Sequence, residues 1–199
     1  AAFLIEAQAE RPEPAPEGTS VGIDLGVAKY ATLSTGEHYE PLKSFEEDLA
    51  KLAKLQRQAA KMEGPIKGKR RASANWIKHQ KKIAKQHRRI ANKRKDYIER
   101  LTKDITSQYQ HIVVEDLSLK NMTKSAKGDA DNPGKNVRAK SGLNRSLLNG
   151  AFNQFNTRLI AKAIVRSGEV IKVNPAYTSQ TCAACGHVSA DNRPDQATF

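Results

Sequence analysis

No stretch of this 199-residue chain approaches the roughly 20 consecutive apolar residues that a membrane-spanning helix needs, so no membrane partner is expected. Its first residues lack the charged start, apolar core and small-residue cleavage site of a secretory leader. Cysteine is confined to Cys182 and Cys185. A single C-x-x-C pair in an otherwise cysteine-free chain excludes a disulfide framework and points to a metal or redox pair in a reducing compartment. Acids are scarce relative to bases, 21 Asp and Glu against 34 Lys and Arg, for a formal net charge of +13. Such an excess argues for a polyanionic partner and says nothing about fold. The length suits one moderate domain with inserts and a real core.

Val21-Gly-Ile-Asp24-Leu-Gly-Val-Ala28 places three apolar side chains around one carboxylate, with glycines on either side. The run reads as a buried strand that carries an acid into the middle of a sheet and then turns. A buried acid is costly unless a cation meets it. A second stretch of the same kind, His111-Ile-Val-Val-Glu115-Asp116-Leu117, also ends in carboxylates. Two strands delivering acids to one end of a sheet suggest a divalent-metal site, because a hard cation takes oxygen ligands and keeps water for chemistry. The bland readings are a turn-capping carboxylate for Asp24 and a surface acid at a strand end for Glu115. Asp116 points to the other face if the strand continues, which makes it a structural residue.

Along the chain, residues 1–7 read as a lone strand and 10–18 as a proline-rich extended linker. Tyr30 to Glu37 is strand then turn, and His38 to Lys43 a short third strand, so the three make an antiparallel meander. Ser44 and Glu47 form a capping box ahead of a helix from about Phe45 to Met62, with Leu49, Leu52, Leu55, Ala59 and Met62 on one face. Gly64-Pro65 breaks it, and Ser73 can cap a second helix reaching roughly Tyr109. In that helix Trp76, Ile83, Ile90 and Tyr97 fall seven apart, as do Ile77, Ala84, Ala91, Ile98 and Ile105. Two such helices joined by a short loop predict an antiparallel hairpin between the third and fourth strands.

The hairpin holds most of the charge: fourteen Lys or Arg lie between Lys67 and Arg100 against Asp96 and Glu99. Set against a plain solvated face, this concentration favours a wall that contacts phosphates without reading sequence. Lys78, Lys81, Lys82, Lys85, Arg88, Arg89, Lys93 and Arg94 are its candidate nucleic-acid contacts. Met122 to Ser141, rich in Lys, Gly, Ser, Asn and Asp, reads as a mobile loop. Leu147, Leu148, Ala151, Phe152, Phe155, Leu159, Ile160, Ala163 and Ile164 then trace one helix face expected to pack on the sheet. Gly168 ends that helix, and residues 170–175 form a further strand. The organisation is that of an α/β domain with a mixed sheet.

Val21-Gly-Ile-Asp-Leu-Gly-Val, then Val113-Val-Glu-Asp-Leu, and above all Thr178-Ser-Gln-Thr-Cys182-Ala-Ala-Cys185-Gly186 resemble, in order and over nearly the whole chain, the OrfB/TnpB proteins encoded by insertion sequences. Those proteins are RNA-guided DNA nucleases related to type V CRISPR effectors. The resemblance implies an RNase H-like (RuvC) mixed sheet with an inserted basic helical hairpin and a partial zinc-ribbon. It divides the chain into 1–20 (end of a preceding domain and linker), 21–43 (first RuvC-like segment), 44–110 (hairpin), 111–177 (second RuvC-like segment) and 178–199 (incomplete zinc-ribbon). It implies Asp24 and Glu115 as catalytic ligands of Mg or Mn in a two-metal phosphodiester hydrolysis. It also implies a DNA target and a guide RNA as partners, in a prokaryotic, cytoplasmic and nucleoid-associated setting.

The family's third acid, an aspartate in an Asp-x-Asn-Ala-like run, and its second C-x-x-C pair have no counterpart before Phe199, so the chain reads as cut at both ends. Cys182 and Cys185 are then half of a zinc site that wants four ligands, with hydrolysis by these residues alone impaired. His187 is poorly placed to complete it, Asp191 and Asp195 match no family ligand, and a thioredoxin-like reading of the pair lacks its strand–helix context. A non-cleaving nucleic-acid-binding module stays as the alternative to the nuclease, and an unrelated basic RNA-binding protein as a third.

Overall fold

The computed structural model of the chain describes residues 11–42, 44–66, 68–129, 131–176, 180–182 and 184–192. The expected strand at 1–7, Lys43, Lys67, Thr178 and Ser179 of the cysteine motif, and Asp195 lie outside those residues. Strands β1 (Ser20–Leu25), β2 (Ala31–Leu33) and β3 (His38–Tyr39) form an antiparallel meander. Helices α1 (Ser44–Ala60) and α2 (Ala74–Gln108) follow, then β4 (His111–Glu115). Short α3 (Leu119–Met122), α4 (Val137–Gly150) and α5 (Phe152–Val165) lead to β5 (Glu169–Val173). The five strands make one mixed sheet in the order β3-β2-β1-β4-β5, with β1, β4 and β5 parallel.

Alternation decides what each strand buries. Val21, Ile23, Leu25, Ala31, Leu33, Ile112 and Val114 are buried on one face with Ile98, Leu101 and Ile105 of α2 and Phe152, Phe155 and Leu159 of α5. Tyr30 closes this core: its ring lies 5.1 Å from Tyr97, 5.6 Å from Phe152 and 5.9 Å from Phe155, and its hydroxyl donates to the Gly150 carbonyl at 2.8 Å. Glu99 on α2 accepts Arg158 (2.7 Å) and Lys162 (2.8 Å) from α5, fastening the two helices over the sheet. At Gly168 an added Cβ would sit 2.7 Å from the Gln110 carbonyl, so only glycine lets β5 enter beside β4.

Four sequence expectations change. Residues 137–141 are the first turn of α4 and not loop, and α3 precedes them. The apolar run from Leu147 to Ile164 is two helices, because Ala151 turns left-handed (φ 51°) between α4 and α5. That break leaves Leu148 61% and Ile164 68% exposed, off the packed face. Ile77, Ala84 and Ala91 are exposed while Ile98 and Ile105 are buried, since the amino half of α2 meets α1 and only its carboxyl half meets the sheet. The third strand ends at Tyr39, ahead of Pro41, which has no amide to donate. Core and surface should respond accordingly: Phe155→Ala costs about 3–5 kcal/mol, whereas Leu148→Ala stays within about 0.5 kcal/mol. Urea unfolding midpoints of the two variants measure the difference.

Candidate functional site

The parallel register of β1 and β4 pairs Val21 with Ile112 and Ile23 with Val114. Asp24 and Glu115 are the next residue on each strand. Both project away from the core, at the carboxyl end of two adjoining strands. Their face also carries Gly22, Val113 and Ile171, none of them buried. Asp24 is exposed, which corrects the expectation of a buried acid: apolar neighbours at Ile23 and Leu25 mark the opposite face, not the surroundings of the carboxylate. Its carboxylate has no hydrogen bond or ion pair among the described residues, so it is open to a ligand. Asp116 turns elsewhere and pairs with Lys172 at 3.2 Å.

Gly26, Val27 and Ala28, immediately after the strand of Asp24, form one wall of a cleft of about 400 Å³. Arg94 and Tyr97 of α2, Leu49 of α1 and Asn149 of α4 form other walls. An added Cβ at Gly26 would lie 2.9 Å from the Lys29 carbonyl, so the tight turn that ends β1 requires glycine. Hard oxygen donors on adjoining strands suit Mg or Mn in kind. Among the described residues, no group of three or more His, Cys, Asp or Glu is placed to hold a metal ion. The donor set therefore consists of two acids.

The amino half of α2 runs antiparallel to α1: Asp48 meets Gln86, Arg89 and Lys93, while further along α1 the Leu55 carbonyl meets His79 at 2.8 Å. Between the two helices lies a groove of about 760 Å³ lined by Lys51, Lys82, Lys85, Arg88, Arg89 and Lys93. Of the eight basic residues expected to contact nucleic acid, Lys78, Lys81, Lys82, Lys85 and Arg88 are exposed and make no side-chain bond among the described residues. Arg89 (3.2 Å) and Lys93 are instead ion-paired to Asp48, whose side chain is only 8% exposed, and Arg94 is half-buried in the cleft wall. Nothing in the sequence singles out Asp48: it is one acid among several near the start of α1, and only the pairing of the helices marks it. The hydrogen bond from Lys93, reinforced by Gln86 and by the charge of Arg89, holds its carboxyl below the usual range against the opposing effect of burial.

Cys182 and Cys185 bracket a tight turn in which the Gly186 amide donates to the Cys182 carbonyl at 2.8 Å, and the Cys182 amide donates to the His187 carbonyl at 2.9 Å. The backbone amides of Cys185 and Ala184, with the Cys185 side chain, lower the Cys182 thiol pKa and favour thiolate. Two thiols supply half of a tetrahedral zinc set, and no third donor joins them among the described residues.

The family model OrfB_IS605, described as "Probable transposase", matches residues 2–126, and the model for the Cas12f1-like TNB domain matches residues 152–198. The chain is 46% identical, over 92% of its length, to the "Putative RNA-guided DNA endonuclease InsQ" of Escherichia coli (strain K12), of which it covers 44%. It is 31% identical over 88% of its length to a "Putative RNA-guided DNA endonuclease" of Streptomyces pristinaespiralis, covering 39% of that protein. It thus spans less than half of each of these relatives. A cryo-EM structure of a Cas12f1-sgRNA-target DNA complex shares its fold with a TM-score of 0.50 at 19% identity, covering 92% of this chain and 42% of that one.

Because the folded carboxyl of Asp48 titrates below its unfolded value, its contribution to stability is complete above about pH 3.9. It is lost as pH falls further, through the folded value. Asp48→Asn should lower the thermal midpoint at neutral pH and flatten the acid limb of the melting profile, read by helical circular dichroism. A variant with the wild-type midpoint and acid limb would show that this carboxylate does not hold α1 to α2.

Proposed function

The chain belongs to the OrfB_IS605 family, and from that premise we propose that it forms the RuvC-like nuclease core of an RNA-guided DNA endonuclease. In this reading residues 21–43 and 111–177 are the catalytic sheet, 44–110 a nucleic-acid-binding hairpin and 178–199 a portion of a zinc-ribbon. The observation that supports it is the β1–β4 register, whose next residues are Asp24 and Glu115 on the sheet face opposite the core, where among the described residues Asp24 is exposed and Glu115 half-buried. Asp24 and Glu115 would hold Mg or Mn. Bound there, the ion would supply an activated water and offset charge on the leaving oxygen of a phosphodiester. The chain's own groups do the rest. The two strands orient the carboxylates from a rigid ladder, the exposure of Asp24 among the described residues admits a polymer backbone, and the cations of the hairpin keep phosphates near an acidic edge that would otherwise repel them.

DNA target and guide RNA as partners follow from what the relatives are named for and accord with the charge of the hairpin. Zinc on Cys182 and Cys185 needs two further donors, and no role is derived for it. The presence of two acids, with no third joining them among the described residues, favours a second reading: a module that binds nucleic acid without cutting it.

One experiment separates the two readings. The chain is incubated with single-stranded DNA and Mn²⁺ beside Asp24→Ala, Glu115→Ala and Asp116→Ala, and Mn²⁺ binding is followed in parallel by the EPR signal of the free ion. The nuclease core predicts cleavage that falls to background, and a lost Mn²⁺ site, in the first two variants only, with DNA affinity unchanged in all. Equal binding with no cutting by wild type, and no Mn²⁺ site sensitive to Asp24, would leave the binding module.

A further inference from the structure

Helix α2 has 35 residues, about 52 Å at 1.5 Å per residue, against about 16 Å for the five residues of β4. Its carboxyl end is tied to the amino edge of the sheet, where the Gln110 and His111 amides both donate to the Thr19 carbonyl. From there Ile105, Leu101 and Ile98 run back across the core face. Arg94 and Tyr97 reach the wall of the cleft formed by Gly26 to Ala28, at the acid edge. Residues 74–93 therefore extend beyond that edge as an arm of about 30 Å, with α1 alongside as its brace.

The cations of the arm are ordered. Lys82, Lys85, Arg89 and Lys93 line the groove that Lys51 borders from α1, and Lys78 continues their stripe past the groove, the five falling within about 80° of arc at 100° per residue. Asp48 occupies the acid-proximal pair, Arg89 and Lys93. The distal members, Lys78, Lys82 and Lys85, together with Arg88 and Lys51, make no side-chain bond among the described residues. No Phe, Trp or Tyr lies between Lys78 and Lys93. Binding of single strands leans on aromatic platforms for unstacked bases. A bare lysine stripe suits the regular phosphates of a duplex.

We propose that the α1–α2 groove binds the backbone of a nucleic-acid duplex at a fixed offset from the acid edge, so that the arm acts as a ruler. The inference rests on the nuclease reading only for where the ruler starts. Lys85 and Lys78 lie about 14 and 24 Å beyond the level of Arg94. At 3.4 Å per step along a strand, that places the contacts about four to seven base pairs from the scissile position. Asp48 sets the near end of the scale by keeping Arg89 and Lys93 from phosphate.

The test uses the chain and a set of single-stranded DNAs, each carrying a duplex flank of about 2, 5 or 10 base pairs, the flank made either as DNA duplex or as RNA–DNA hybrid. Affinity should rise severalfold between the 2- and 10-pair flanks for at least one kind of duplex, and that kind identifies the backbone bound. In the double variant Lys82→Ala/Lys85→Ala the step should vanish, and the slope of log affinity against log salt for the long flank should fall by about 2. Affinity for the shortest flank should not change. Lys103→Ala, on the sheet-bound half of α2, should keep both step and slope. Flank-independent affinity with both duplexes, or a double variant that weakens short and long flanks equally, overturns the ruler. The two readings fail separately: cleavage in Mn²⁺ without a length step leaves the nuclease and removes the ruler, while a length step without Asp24-dependent cleavage does the reverse.

Discussion

In a parallel ladder, paired residues project to the same face, so the register that joins Ile23 to Val114 decides at once where the core lies and where the acids go. Sliding β4 by one residue would turn Ile112 and Val114 outward and carry Glu115 into the apolar layer beneath Phe155 and Leu159. Two buried side chains of β4 and three of β1 stand against that slip. The acid pair is therefore held in place by the hydrophobic effect acting on its neighbours, without any need for a bond made by the Asp24 carboxylate itself. This is why Asp24 can stand exposed, and unpaired among the described residues, without being loosely placed.

The same division of labour runs through α2. Its carboxyl half is a core helix, with Ile98, Leu101 and Ile105 nearly inaccessible and Thr102 and Thr106 returning their hydroxyls to the preceding turn. Its amino half packs chiefly on α1 among the described residues, and there the buried positions include His79, Gln86 and Ile90 opposite Asp48 and Leu52. A junction built on so little apolar area depends on satisfied polar contacts, which makes Asp48 more than an incidental ion pair. A carboxylate shielded from water by two helices must be met by donors, and Gln86, Arg89 and Lys93 supply them.

How far such features can be read from sequence depends on whether their cause is local. Ser73 caps α2 by accepting the Trp76 amide, and the helix runs Ala74–Gln108, close to the span expected from a serine followed by sustained seven-residue spacing. The strands around Asp24 and Glu115 were legible for the same reason, since β-branched runs bounded by turn residues mark them locally. The start of α4 was not: Asn136 precedes it in a left-handed conformation without a side-chain cap, and Gly142 sits within it. Ala151, left-handed between α4 and α5, carries no signal that an alanine could advertise. The exposure of Asp24 and the burial of Asp48 lay out of reach too, because each depends on what a distant element covers. Alternation identifies two faces without saying which is packed, and an acid on a helix becomes a clasp only when another helix brings it cations.

Charge on the arm carries a cost that its packing only partly offsets. Lys78 and Lys82, Lys81 and Lys85, Lys85 and Arg89, and Arg89 and Lys93 are like-charged pairs one turn apart, each destabilising a helix by about 0.2–0.5 kcal/mol. Asp48 relieves the last of these, and the others have no acid beside them among the described residues. A bound polyanion removes that repulsion, so whatever binds the arm also stabilises it, and the two effects are one linked free energy. A helix that were merely solvated could spread its charge or intersperse acids, as the half from Asp96 to Asp104 does with Arg100 and Lys103. Retaining the repulsion only beyond the acid edge, where no sheet contact needs it, is coherent if the arm is completed by phosphates.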